Sequence, residues 1–214
     1  MNIQIKTFYF NPLRECTYVV WDDTCQCVII DPGCNGANEF SRLASFVESN
    51  GLKPVKVLLT HGHFDHVLAL KETADKWNLE VCINKADIPW VRRAAGSCSI
   101  FGLEIIPFTD TTTDVDDGDT VTFGNTTLQV IATPGHSRGG VCYFEPEEKV
   151  LFCGDTLFAG SIGRTDLGDG DYEVLMHSIN TKLAPLPAGT AIYPGHGPSS
   201  TLSYELMTNP FLQG

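Results

Sequence analysis

The first third of the chain is patterned as strands. "IQIKTFYF", "CTYVVWD" and "CQCVIID" are runs of β-branched and aromatic residues, separated by Asn-Pro and Asp-Asp-Thr turn signals. A "DPG" breaker follows. "ANEFSRLASFVESNG" then sets Phe40, Leu43, Phe46 and Val47 at helical spacing and closes on Asn-Gly, a helix stop. "VKVLLT" is continuously apolar, as a strand covered on both faces would be. "VLALKETADKW" reads as a helix and "LEVCIN" as a strand. "KADIPWVRRAAG" fits a short helix or a loop, and residues 96–114 carry no clear period.

The second half repeats strand, turn, strand from "DGDTVTF" to "VLFCGDTLF", with "FGN" and "EPEEK" as turns. "DYEVLMHSINTKL" places Val174, Leu175, Ile179 and Leu183 on one side of an amphipathic helix. "TAIYPGHG" is a strand entering a Gly-rich loop, and "STLSYELMTNP" is a short helix ending at Asn-Pro. For the N-cap of that last helix, Ser200 with Ser203 is a weak capping-box arrangement and Thr201 with Tyr204 a weaker one. Strands and helices thus recur in two similar halves, which predicts two packed sheets with helices outside.

The chain has 214 residues, 43% hydrophobic and 19% charged, which is ample for one domain over 1–214 with a buried core. No stretch approaches the ~20 apolar residues that span a bilayer. The N-terminus lacks a basic start, an apolar block and a small-residue cleavage site, so no membrane partner and a cytoplasmic location are expected. A net charge of −12 disfavours nucleic acid. The Arg92-Arg93 pair reads as a solvated surface feature. The eight cysteines show no C-x-x-C or zinc-ribbon spacing and several lie in apolar runs, so free buried thiols are expected.

The histidines change the picture. Of six, three fall in "THGHFDH" as His61, His63 and His66, beside Asp65. His136 ends "IATPGH", His196 ends "IYPGH", and Asp155 ends "LFCGD". Each follows a predicted strand, so several strand ends can aim imidazoles and carboxylates at one spot. Imidazole and carboxylate without cysteine is a ligand set for zinc, iron or manganese. Alternate residues of an extended loop point the same way, so His61 and His63 can share an ion while Asp65 and His66 reach another. Seven candidate ligands fit two ions better than one. A metal pair can share a carboxylate and a hydroxide that is nucleophilic at neutral pH. Packing gives no reason to crowd four polar groups at one turn. His177 stands alone in a helix and reads as a surface residue. Asp31 in "IIDPG" reads as a turn-initiating Asp, with a hydrogen bond to a ligand histidine as the alternative.

"THGHFDH", "TPGHSRGG", "GDTLF" and "YPGHG", in that order, resemble the ligand motifs of the metallo-β-lactamase superfamily. That resemblance implies an α/β fold, the αββα four-layer sandwich, with the metal site at one edge of the two sheets. It implies that His61, His63 and His136 hold one ion, that Asp65, His66 and His196 hold a second, and that Asp155 bridges them. Two divalent ions are expected, zinc first, with iron or manganese as alternatives.

"GDTLFAGSIGRTDLGDGD" is similar to the hydroxyacylglutathione hydrolase (glyoxalase II) group, specifically to its short members without a C-terminal helical glutathione-binding domain. This implies a small-molecule thioester substrate such as S-lactoylglutathione, hydrolysed by a metal-bridging hydroxide, with Asp65 and Asp155 as the catalytic carboxylates. Arg164 aligns with a lysine that grips the glutathione glycine carboxylate in longer members. A guanidinium can do the same, or Arg164 can pair with Asp166 or Asp169 to stiffen its loop. The alternative activities are a mononuclear-iron persulfide dioxygenase, which shares the "GRTD" element, and hydrolysis of another small ester or lactone. Phe64, Phe101 and Phe158 are candidates to line a pocket or simply to pack.

Overall fold

The computed structural model describes residues 3–213. The first half contains β1 (Gln4–Phe10), β2 (Glu15–Trp21), β3 (Gln26–Ile30), α1 (Gly36–Ser49), β4 (Lys53–Leu58), α2 (Leu70–Trp77), β5 (Glu80–Ile83), α3 (Ile88–Ile100) and β6 (Thr113–Asp114). The second contains β7 (Thr120–Phe123), β8 (Thr126–Ala132), β9 (Val141–Glu145), β10 (Val150–Gly154), β11 (Leu157–Phe158), β12 (Ser161–Ile162), α4 (Tyr172–Ser178), β13 (Ala191–Pro194), β14 (Ser200–Thr201) and α5 (Leu202–Thr208).

Two six-stranded sheets result, ordered β1-β2-β3-β4-β5-β6 and β14-β13-β10-β9-β8-β7, with β11 and β12 as a small separate ribbon. Hairpins make β1, β2 and β3 antiparallel, whereas the helical crossovers force β3, β4 and β5 to run parallel. Period-two alternation decides which residues go where. In β3, Val28 and Ile30 face the other sheet, while Cys27 and Ile29 pack under Leu43 and Val47 of α1. In β10, Val150 and Phe152 face inward, while Leu151 and Cys153 pack against Leu175 of α4 and Leu202 of α5. Val57 and Ile83 lie under Ala74 of α2 and Val91 of α3. Helix, sheet, sheet and helix therefore stack as four layers, as the motif resemblance implied.

Strand direction places the site. Parallel β3 and β4 end at the same edge of their sheet, as do parallel β10 and β13 of theirs. Strand β8, two antiparallel steps from β10, ends there too. The sheets are tied at this edge by Cys16 N donating to Gly195 O (2.7 Å), Val141 N to Thr60 O (2.8 Å) and the Tyr143 hydroxyl to Leu59 O (3.0 Å).

Several local expectations are corrected. Helix α2 starts only at Leu70, because Val67–Ala69 are buried in the turn that follows the histidine cluster. Residues 88–100 form a full helix, so "KADIPWVRRAAG" continues well beyond its apparent end. Arg92 and Arg93 are both exposed, as expected, and the Arg92 guanidinium also donates to the carbonyls of Phe108 and Asp110, pinning the loop after α3. Helix α4 widens into a π-turn over Ile179–Leu183, and Val174, one helical step from buried Leu175, is exposed rather than on the core face. Thr201, the weaker capping candidate, is the N-cap of α5, accepting from Tyr204 N.

All eight cysteines are free, and all but Cys25 are buried. Burial pushes the thiols of Cys16 and Cys27 up to about 12, so both behave as small hydrophobes. No described helix is long and apolar enough to cross a membrane.

Leu43→Ala, which empties a fully buried position beneath α1, is expected to cost ~2–5 kcal/mol. Urea denaturation checks it. His177→Ala, at an exposed site, should stay within about 0.5 kcal/mol of the parent.

Candidate metal centre

Four loops converge at the common sheet edge. The loop after β4 carries His61 and His63 and then a 3-10 turn, Phe64–His66, that holds Asp65 and His66. The loops after β8, β10 and β13 bring His136, Asp155 and His196. The structure thus assembles all seven predicted residues. His61, His63 and His136 form one group with ligand atoms within 4.8 Å of one another, and Asp65, His66 and His196 form another. Asp155 stands between them. Its Oδ2 lies 3.4 Å from His136 Nε2 and 3.7 Å from His196 Nε2, and its Oδ1 lies 3.5 Å from His66 Nε2.

Hydrogen bonds around the rim set the tautomers. His136 Nδ1 donates to Arg164 O (2.7 Å), His196 Nδ1 to Leu13 O (3.2 Å), and His66 Nδ1 to Asp31 Oδ2 (3.0 Å). Thr60 Oγ1 donates to Asp31 Oδ2 (2.6 Å), so it accepts from His61 Nδ1 at 3.1 Å. Four imidazoles therefore spend their N–H on the protein and turn the Nε2 lone pair to the centre, the arrangement that metal-binding histidines require. His63 is the exception. Its Nδ1 lies 2.9 Å from His136 Nε2, and its ring is held edge-on by Trp90, with centroids 4.8 Å apart.

This reverses the preferred reading of Asp31. It is not merely a turn residue: its Oδ1 accepts from Thr60 N (2.8 Å), and its Oδ2 serves both Thr60 and His66. The group of Asp31, His61 and His66 is also close enough to suggest ligation. These hydrogen bonds already occupy the Asp31 carboxylate, so it orients ligands rather than joining them.

The residues fit a divalent cation. Nε2 of His61, His63 and His66, and Oδ1 of Asp155, are buried without any hydrogen-bond partner. Each such atom costs about 1–3 kcal/mol if left unsatisfied. Burial, reinforced by neighbouring imidazoles, pushes His63 down to about 3 and His61 well below its ordinary value, so both present neutral lone pairs. Burial alone would raise the Asp155 carboxyl, but the opposing charge of His66 outweighs it and holds the group well below the usual range, as an anion. Burial likewise opposes a charged His66, yet Asp155 and Asp65 raise its pKa. Two anionic carboxylates beside the neutral rings of His61 and His63 form a nitrogen and oxygen donor set for a divalent cation.

Arg164 is exposed, and its guanidinium grips Asp166 with two bonds of 2.7 and 2.9 Å. Its backbone carbonyl, rather than its side chain, touches the site. Phe158 lies edge-on to His196, with centroids 6.3 Å apart, and Phe64 stacks on Phe101, which is largely exposed.

The residue reading missed Thr60, Trp90, Glu15 and Asp87. Thr60 adjoins His61 and carried a weak signal as a hydroxyl beside a ligand. Glu15 is completely buried under the site, with Oε2 bonded to Thr17 and a carboxyl that burial pushes well up. Nothing in a strand-opening Glu announces that. Asp87, ahead of Pro89, looks like an ordinary helix start.

A family model for the metallo-beta-lactamase superfamily matches residues 13–196. The chain is 37% identical to hydroxyacylglutathione hydrolase GloC of Haemophilus influenzae, across 99% of this chain and 98% of that one. Among solved structures it is similar to the BLEG-1 B3 metallo-beta-lactamase (TM-score 0.91, 37% identity, 99% of this chain and 100% of the other). It is also similar to TTHA1623 in a di-iron-bound form (TM-score 0.87, 37% identity, 97% and 100%). The chain belongs to the metallo-beta-lactamase superfamily.

Stripping the loaded protein with a chelator should lower its thermal midpoint by roughly 5–10 °C, since an ion at a hundred times its Kd adds about 2.7 kcal/mol and a chain of this size shifts about 2–4 °C per kcal/mol. Excess zinc should restore it. An unchanged midpoint would show that the unpaired atoms are not stabilised by metal.

Proposed function

We propose that this metal-dependent hydrolase cleaves small thioesters of the S-lactoylglutathione type at a dinuclear site. The observation that supports this most directly is Asp155, one carboxylate placed between two complete groups of three ligands. In this reading His61, His63 and His136 hold one ion, Asp65, His66 and His196 hold the other, and Asp155 is shared. Zinc is the first choice, with iron or manganese as alternatives, since this donor set suits all three. When bound, such ions supply Lewis acidity and a water acidic enough to be nucleophilic at neutral pH.

The chain's own residues do the rest. Asp65 Oδ2, 3.2 Å from His196 Nε2, faces the centre. Burial would raise this carboxyl, but His66 and His196 hold it below its usual value, so it remains an anion able to orient the attacking water and take its proton. Asp31 and Thr60 keep His61 and His66 from rotating. The departing thiolate, with a pKa near ~8.5, needs no strong general acid. Arg164 is assigned to the carboxylate of the thiol carrier, exchanging its exposed Asp166 partner for the substrate. Both partners of that ion pair are exposed to solvent, which screens it and makes the exchange feasible. Eight free thiols suit a reducing compartment such as the cytoplasm.

Elemental analysis and S-lactoylglutathione turnover on one preparation test the reading. About two metals per chain with turnover is the expected result. One iron per chain, no hydrolysis and oxygen uptake with a persulfide would replace it with the dioxygenase. Two metals with turnover only of lactones or β-lactams would keep the site and change the substrate. Arg164→Ala should raise KM about 10-fold, equivalent to ~1.4 kcal/mol, with kcat unchanged. An unchanged KM would leave Arg164 as a loop brace.

A further inference from the structure

We propose that Asp87 is a positioning residue for one half of the centre: it clamps together the two loops that carry His61, His63 and His136, and it leaves the Asp65, His66, His196 group untouched. The proposal rests on the ligand reading above.

Asp87 ends the short turn Lys85–Asp87 between β5 and α3 and is completely buried. Although it occupies the N-cap position of α3, its carboxylate does not cap that helix. It crosses instead to two loops. Oδ2 accepts from Gly62 N at 2.8 Å, and Oδ1 accepts from Gly139 N at 2.6 Å. Gly62 lies between His61 and His63, and Gly139 lies three residues after His136. One carboxylate thus bridges the only two segments that supply the three-histidine group. The Ser137 hydroxyl approaches it as well, short of full hydrogen-bond geometry.

The contact explains both glycines. A Cβ on Gly62 would sit 2.5 Å from Asp87 O and 2.8 Å from Trp90 Cβ, and one on Gly139 would sit 2.7 Å from Asp87 Oδ1. The loops can approach the carboxylate this closely only without side chains. The platform beneath is rigid, because Asn84 accepts from Ala86 N (3.0 Å) and donates to Val115 O (2.9 Å). Trp90, one turn into α3, holds the His63 ring that no hydrogen bond to the rim fixes. Together they make the start of α3 the support for this half of the site.

The other half is anchored elsewhere. His66 is held by Asp31, the Asp65 carbonyl by Asn11 Nδ2 (3.0 Å), and His196 by Leu13 O. None of these bonds involves Asp87. A buried partner of this kind acts on metal affinity through the ligands it orients.

The test equilibrates the metal-loaded full chain with graded chelator and counts zinc retained. Two backgrounds isolate the sites: His196→Ala keeps the three-histidine group, and His136→Ala keeps the other. Asp87→Asn preserves size but turns an NH2 toward one of the two glycine amides. It should weaken zinc about 10–100-fold in the His196→Ala background and by less than about twofold in the His136→Ala background. A fold defect alone would weaken both. Equal loss in both, or no loss in the first, overturns the proposal. Should Asp87→Asn fail to fold by circular dichroism, Gly139→Ala replaces it, because its Cβ forces the loop off an intact Asp87, and the same two outcomes decide. If each background does not hold one zinc fewer than the parent, the ligand reading itself fails and the Asp87 assignment falls with it. If the backgrounds behave and Asp87→Asn is silent, only the Asp87 assignment fails.

Discussion

Three imidazole nitrogens and one carboxylate oxygen, buried without a hydrogen-bond partner, set the terms for the rest of this molecule. Lone pairs crowded in a low-dielectric space are unfavourable unless a cation shares them. The protein keeps them there because four of the five rings are hydrogen-bonded from behind and the fifth, His63, is held edge-on by Trp90. His136 and His196 give their outer N–H to main-chain carbonyls, and His61 and His66 are tied through Thr60 and directly to Asp31. Remove that rim and the rings would be free to rotate and pair with one another or with water.

The rim, in turn, depends on the sheets. Asp31 ends β3 and Thr60 follows β4, and these strands are parallel neighbours with Ile30 opposite Leu58. Only that register sets a carboxylate beside the base of the histidine loop. In the second sheet, β10 and β13 bring Asp155 and His196 to the matching edge. The bridge between Glu15 and His196 and the bond from Cys16 to Gly195 then join the two sheets where the site is built. The apolar core between the sheets fixes their spacing, and each ligand group draws members from the loops of both sheets.

Much of this was legible in order along the chain. β-Branched and aromatic runs in β2, β3, β9 and β10 marked the strands, and the histidines after β4, β8 and β13 marked the candidate site, because ligand spacing is a local property. Residues 96–114 were opaque because they join the last turn of α3 to the two-residue β6 through an irregular loop, held by Arg92 at the carbonyls of Phe108 and Asp110. Val174 sits one helical step, about 100°, from Leu175, so it falls off the face that Leu175, Ile179 and Leu183 bury. Asp31 looked like a turn signal and is one, with φ of +50°, but its carboxylate has a second task that a turn signal cannot reveal.

By itself the sequence determined the candidate ligands, the superfamily and the two-sheet plan, since motif spacing and apolar runs are written into neighbouring positions. The tertiary structure alone decided which atoms face the centre and what holds them there. Asp31 reaches His66 across 35 positions, Asp87 reaches Gly139 across 52, and Arg164 meets His136 through its carbonyl rather than its charged side chain. Such contacts follow from chain crossings and strand register, and no local pattern of residues encodes them.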